Sequence, residues 1–198
     1  MLKRTKGRIL LALLVVTGFA GTLRNSTLTS QERKFVTSNF KDTRTELLKT
    51  IKSLSARQLN YKAAGQLSIK ECFYQLVSSE EYLWKKFDAS MALPATPERR
   101  ADTIFEDKEV QKYVYTLAIN QPSNNWESIN KAISTFKISR TKRLKYLRTT
   151  TSDIRNHYTQ LPFGWIDNYQ LIIFIQSNAD RHFQKLNAIM NQPDFPSN

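Results

Sequence analysis

The stretch SNADRHFQK, residues 177–185, sets Asn178 and His182 four residues apart. On an α-helix that spacing turns both side chains to one side, where an amide oxygen and an imidazole nitrogen could share a metal ion or a polar ligand. His157 is the only other histidine. A three-histidine metal site within one chain is therefore excluded. The single cysteine, Cys72, excludes an intramolecular disulfide and any multi-cysteine zinc site. His157, His182 and Glu80 could together make a two-histidine, one-carboxylate set, but only if His157 folds inward. No glycine-rich phosphate loop, Gly-x-Ser-x-Gly elbow or spaced cysteine–histidine motif occurs.

These residues lie on four amphipathic helical stripes. The first helix spans about 30–54, opened by the capping box TSQE, with Val36, Phe40, Thr43, Leu47, Ile51 and Leu54 on one face. A turn-like stretch, SARQLNYKAAGQL, leads to a second capping box, SIKE, and the stripe Ile69, Phe73, Leu76, Glu80, Leu83, Phe87. Residues 88–125 carry Pro94, Pro97 and Pro122, which predicts a long crossover with one short helix inside it. The third stripe is Trp126, Ile129, Ile133, Phe136, Arg140, Leu144 and Leu147. After a break enforced by Pro162 and Gly164, Asp167 can cap the last helix, whose stripe is Leu171, Ile175, Asn178, His182 and Ile189. No strand-like alternation is read. The expected fold class is all-α: a four-helix bundle with a long crossover between its second and third helices.

Glu80 and Arg140 each replace an expected leucine. Burying either charge alone would cost several kcal/mol, so they are expected to meet inside the bundle or at its mouth. Such a pair either fixes helix register or orients a ligand. Cys72 is expected to be a buried apolar residue rather than a reactive thiol.

The amino terminus reads as an address. MLKRTKGRILLALLVVTGFAGTL has a basic start, an apolar run from Ile9 and small residues at a cleavable Gly18-Phe19-Ala20. Residues 1–20 are expected to be a secretory signal, or a short membrane anchor if uncleaved, which makes the protein exported. Residues 29–191 form the bundle domain and 192–198 a tail. The chain has net charge +13, with Lys3, Arg4, Lys6 and Arg8 in the leader. The remaining basic surface would favour polyanions, with SRTKRLKYLR (139–148) as the candidate segment. Its basic residues read as scattered around the helix, which argues against a dedicated nucleic-acid groove.

The order of these motifs resembles the DinB/YfiT-like family of four-helix-bundle proteins over most of residues 29–191. The resemblance rests on the tract LSARQLNYKAAGQLSIKECFYQL, the Phe136/Arg140 element, DIRNHY, LPFG and the last-helix spacing. It implies a bundle with three histidine metal ligands, one from the second helix and two from the fourth, and a metal-dependent hydrolase or thiol-transferase activity. Those ligand positions correspond here to Gln75, Asn178 and His182. An amide oxygen is a poor donor to zinc, nickel or iron, so His182 would hold such a metal weakly at best and no cofactor is expected. The first expectation is an exported protein with a degenerate metal site that binds a small molecule or a partner in the bundle pocket. The alternatives are the metal-dependent enzyme and a basic polyanion binder.

Overall fold

A computed structural model describes residues 27–63, 65–103, 106–116 and 126–197. The signal or anchor reading of residues 1–20 lies outside them. The elements are α1 (Ser30–Ser53), α2 (Ala56–Asn60), α3 (Ile69–Met91), a 3-10 turn (Pro97–Asp102), α4 (Asp107–Thr116), α5 (Ile129–Thr149), β1 (Tyr158–Leu161), β2 (Gly164–Asp167) and α6 (Asn168–Met190). Helices α1, α3, α5 and α6 are the four long ones and make the bundle.

Both expected capping boxes form. Thr29 and Glu32 close reciprocally at the start of α1, and Ser68 and Glu71 do so at α3. Asp167 caps α6 with Gln170 as its reciprocal partner. Each box satisfies amide donors that a helix start otherwise leaves without an acceptor. Within the turn-like stretch Ser55 and Gln58 build a fourth box, which nucleates the short α2. Helix α5 begins at Ile129 behind the cap Ser128, one turn later than its apolar stripe suggested.

The packing order follows from the side-chain bridges. α1 runs antiparallel to α5, because Arg33 donates to the carbonyls of Leu147 and Thr150 while Arg44 reaches Thr141. α3 runs antiparallel to α6, with Cys72 near His182 and Ser90 near Asn168. α1 lies parallel to α6 through Gln176 on the Val36 carbonyl and Thr43 on Asp180. α3 lies parallel to α5 through Glu80 with Arg140 and Asp88 with Arg143. Around the ring the order is thus α1, α5, α3, α6, and the chain-successive long helices α1 and α3 sit on a diagonal. Helix α4 packs on α6 from outside the ring.

The expectation of no strand is corrected. Tyr158–Leu161 pairs antiparallel with Gly164–Asp167, in register Tyr158 with Asp167 and Leu161 with Gly164. A two-residue loop, Pro162-Phe163, joins them, and Gly164 takes φ +133°, a region that favours glycine. Four-residue strands with both faces largely covered show no alternation for a sequence pattern to detect. The hairpin matters because it delivers Asp167 directly to the start of α6.

The apolar core falls into two clusters. One gathers Val36, Phe40, Leu83, Trp84, Phe87 and Leu144 with the α4 face; the other gathers Leu47, Ile51, Ile69, Phe73, Leu76 and Phe136 with the last turns of α6. On α3, α5 and α6 the residues between them are polar and buried: Ser79 and Glu80, Arg140, and Asn178. A polar layer therefore crosses the middle of the bundle.

Candidate functional site

Glu80 and Arg140 meet in that layer. Arg140 Nε donates to both Glu80 carboxylate oxygens, at 3.1 and 2.9 Å, and Nη2 donates to Oε1 as well. Both residues are buried, Arg140 to 1% exposure. The guanidinium lies over the Phe40 ring at 4.4 Å and the Phe136 ring at 5.2 Å, a sandwich that suits a planar, weakly hydrated cation. Burial raises the Glu80 carboxyl above its ordinary range, against the pull of the Arg140 charge and hydrogen bonds. Arg140 Nη1 has no hydrogen-bond partner among the described residues, and neither has Trp84 Nε1, whose ring packs against Phe40 at 5.8 Å.

Asn178 and His182 both face α3, as their spacing requires, but each already has a partner there. Asn178 Nδ2 donates to Ser79 Oγ at 2.8 Å, and Ser79 in turn donates to the Leu76 carbonyl. The Asn178 oxygen is approached by Arg181 Nη2 at 3.5 Å. His182 Nδ1 lies 3.6 Å from Cys72 Sγ. Burial first, then the charges of Arg181 and Lys185, push the imidazole down to about 3. Burial pushes the Cys72 thiol up to about 11, with Lys185 and Arg181 opposing. The pair is therefore a neutral thiol against a neutral imidazole, which is the wrong charge state for a nucleophilic cysteine. Cys72 in the folded protein is expected to ignore an aromatic disulfide reagent at pH 8 and to react fully once denaturant is added. Rapid stoichiometric labelling of the native protein would contradict this assignment.

Gln75 sits on α3 within one turn of both Cys72 and Ser79 and is half-buried. No hydrogen bond joins its side chain to Asn178 or His182 among the described residues. The structure thus brings Asn178 and His182 onto one α3 face and joins Glu80 to Arg140, while Gln75 stands at the edge. Two cavities, of about 510 and 170 Å³, are lined by other residues: the first by the α2 and tail region, the second by Arg100, Arg155, Tyr158 and Asp167 among others.

His157 is elsewhere. Its Nδ1 is 2.9 Å from the Ser90 carbonyl, beside a buried network of Ser90, Thr159 and Asn168. Ser90 is at the opposite end of α3 from Cys72, about 27 Å along the axis at 1.5 Å per residue. His157, His182 and Glu80 therefore do not form a two-histidine, one-carboxylate set. Among the described residues no group of three or more His, Cys, Asp or Glu side chains could hold a metal ion.

The sequence pattern missed a second buried charge centre. Arg155 donates to Asp167 at 3.0 Å, to Asp107 at 3.2 and 2.9 Å, and to Glu32, and it covers the Tyr169 ring at 4.2 Å. Its three carboxylates come from the N-terminal ends of α1, α4 and α6, where negative charge is favoured by the helix dipole. Burial lifts the Asp167 carboxyl to about 6 despite Arg155. Two of the acids were legible as helix-start residues, Glu32 and Asp167. Their convergence on one guanidinium had no local signal.

No family model and no curated protein sequence matches the chain. One solved structure does: YfiT from Bacillus subtilis, described as a probable metal-dependent hydrolase with an unusual four-helix bundle topology. The superposition has a TM-score of 0.60 at 9% identity, over 83% of this chain and 89% of that one. At that identity the likeness is one of fold. This chain shares the four-helix-bundle fold of that protein.

Proposed function

We propose that this protein is an exported binding module, a DinB/YfiT-type bundle in which the metal centre has been replaced by hydrogen bonds between protein groups. The observation that carries this reading is the engagement of the two last-helix positions: Asn178 with Ser79, and His182 with Cys72. The three residues at the ligand positions do not suit a catalytic divalent metal. The Asn178 amide nitrogen, not its oxygen, is directed at α3, and His182 lies in the field of two cations, Arg181 and Lys185. A hydrolytic metal needs three firm ligands and an open position.

The ligand is a small molecule or a partner. Arg140 Nη1 and Trp84 Nε1 are among the buried donors left without a hydrogen-bond partner in the described residues, so a molecule seated beside either would present an acceptor oxygen to it. Export is inferred from the basic and apolar leader alone.

Metal analysis of protein purified without an affinity tag, followed by zinc and nickel titration, tests the central claim. The expected result is substoichiometric metal and no saturable tight site. One tightly held equivalent that disappears in His182→Ala would overturn the proposal and restore the metal-dependent hydrolase or thiol transferase.

A further inference from the structure

Helix α5 carries seven Lys or Arg residues and no Asp or Glu. Read as a string these cations look scattered; in the fold they are sorted. Arg140 turns inward to Glu80, and Arg143 reaches Asp88 on α3. The other five, Lys131, Lys137, Lys142, Lys145 and Arg148, are exposed, and none makes an ion pair among the described residues. Residues 131, 138 and 145 are separated by two heptads, with 142 between the last two, so they share one side of the helix. In the middle of that line stands Ile138, 65% exposed and one of two large apolar side chains so exposed among the described residues.

A face of three cations without an ion pair, Lys131, Lys142 and Lys145, around an exposed isoleucine and flanked by Lys137 and Arg148, selects its partner by chemistry. It needs a surface dense in negative charge, for the lysines, that also offers an apolar layer at shallow depth, for Ile138. A bilayer rich in anionic phospholipid has both: headgroup charge that attracts basic residues and acyl chains below it. A nucleic acid would satisfy the lysines and leave the isoleucine in water. The exposed face of α5 also carries no aromatic side chain on which bases could stack. The outward groups are mostly lysines, whose long stems bury methylenes while the ammonium stays at the headgroups.

We propose that the exposed face of α5 is a peripheral membrane-contact surface that lies flat on anionic phospholipid, with Lys131, Lys142 and Lys145 at the headgroups and Ile138 inserted between them. The contact is separate from the polar layer inside the bundle and does not depend on whether that layer holds a metal or a ligand.

The test is vesicle flotation with the full chain, because the leader segment can itself adhere to lipid and only variants separate the two contributions. Two vesicle types are compared, phosphatidylcholine alone and phosphatidylcholine with about 30% phosphatidylglycerol, at salt from about 0.05 to 0.5 M. Lys142→Glu with Lys145→Glu should weaken binding to the anionic vesicles at least about tenfold at low salt and leave binding to neutral vesicles unchanged. Ile138→Ser should weaken it a few-fold at all salt concentrations. The control reverses two exposed lysines off this face, Lys85→Glu with Lys112→Glu, for the same change in net charge. Equal losses in control and test variants would mean that only overall charge matters and would overturn the proposal. So would a duplex DNA that binds more tightly than the anionic vesicles and loses affinity on the same α5 substitutions.

Discussion

Truncating Glu80 to alanine is expected to destabilise the protein by about 3–5 kcal/mol. The substitution leaves the Arg140 guanidinium buried between Phe40 and Phe136 with no counter-charge. A guanidinium cannot shed its proton at any accessible pH, so the uncompensated charge persists. Arg140→Met is expected to cost less. The carboxyl it strands is one that burial already drives toward the protonated form, so it can neutralise by taking up a proton. The asymmetry should widen as pH falls, because only the Arg140→Met protein has a group that titrates. The double variant Glu80→Leu, Arg140→Met should recover most of the loss, since an apolar pair of similar volume fits the two clusters on either side. Denaturant unfolding of the four proteins as a double-mutant cycle measures this directly. Strictly additive single effects would mean that the two side chains are not energetically coupled, contrary to the geometry.

The second large expectation concerns acid. His182 is held near 3 in the folded protein, whereas an unfolded histidine titrates near 6.5. Between those values the unfolded chain binds a proton that the folded chain refuses. Stability attributable to His182 is therefore complete above about 6.5 and falls as the pH is lowered toward 3, by an amount on the order of 5 kcal/mol across the window. Asp167 acts in the opposite direction. Its folded carboxyl is raised to about 6, so between about 6 and 4 the folded state takes the proton first and gains stability as the pH falls. The two contributions partly cancel in the wild type, and the difference between variants is the clean readout. His182→Gln should show a much shallower loss of stability from pH 6.5 down to 4 than the parent. If the two profiles run parallel, the imidazole is not buried in neutral form and the Cys72–His182 contact is wrongly described.

How much of this was visible in the residues depends on the range of the interaction that carries it. The capping boxes at Thr29, Ser68 and Asp167 were legible because each is closed within three residues. The Glu80–Arg140 pair was legible for a different reason. Each interrupts an apolar stripe, and two opposite charges on buried faces have few other places to go. The direction of Asn178 and His182 followed from helical spacing, but their partners did not. Ser79 adjoins Glu80 outside the apolar stripe, and its hydroxyl announces nothing until α6 lies across it. Gln75 was singled out by resemblance alone, and in the fold it occupies the rim of the face that Cys72 and Ser79 hold. The hairpin was missed because Tyr158–Leu161 and Gly164–Asp167 are too short and too covered to alternate.

Arg155 was beyond reach for a topological reason, and that reason governs how the molecule comes together. The guanidinium that secures the beginning of α1 lies 123 residues downstream of Glu32. A chain emerging from its amino end therefore lacks this clasp for its first helix until Arg155 has been made. Asp107 and Asp167 have to arrive at the same clasp, so no amino-terminal fragment can close it alone. Seating of the first helix at this clasp is therefore expected to wait for the hairpin that delivers Asp167, a long-range closure of the kind that slows folding.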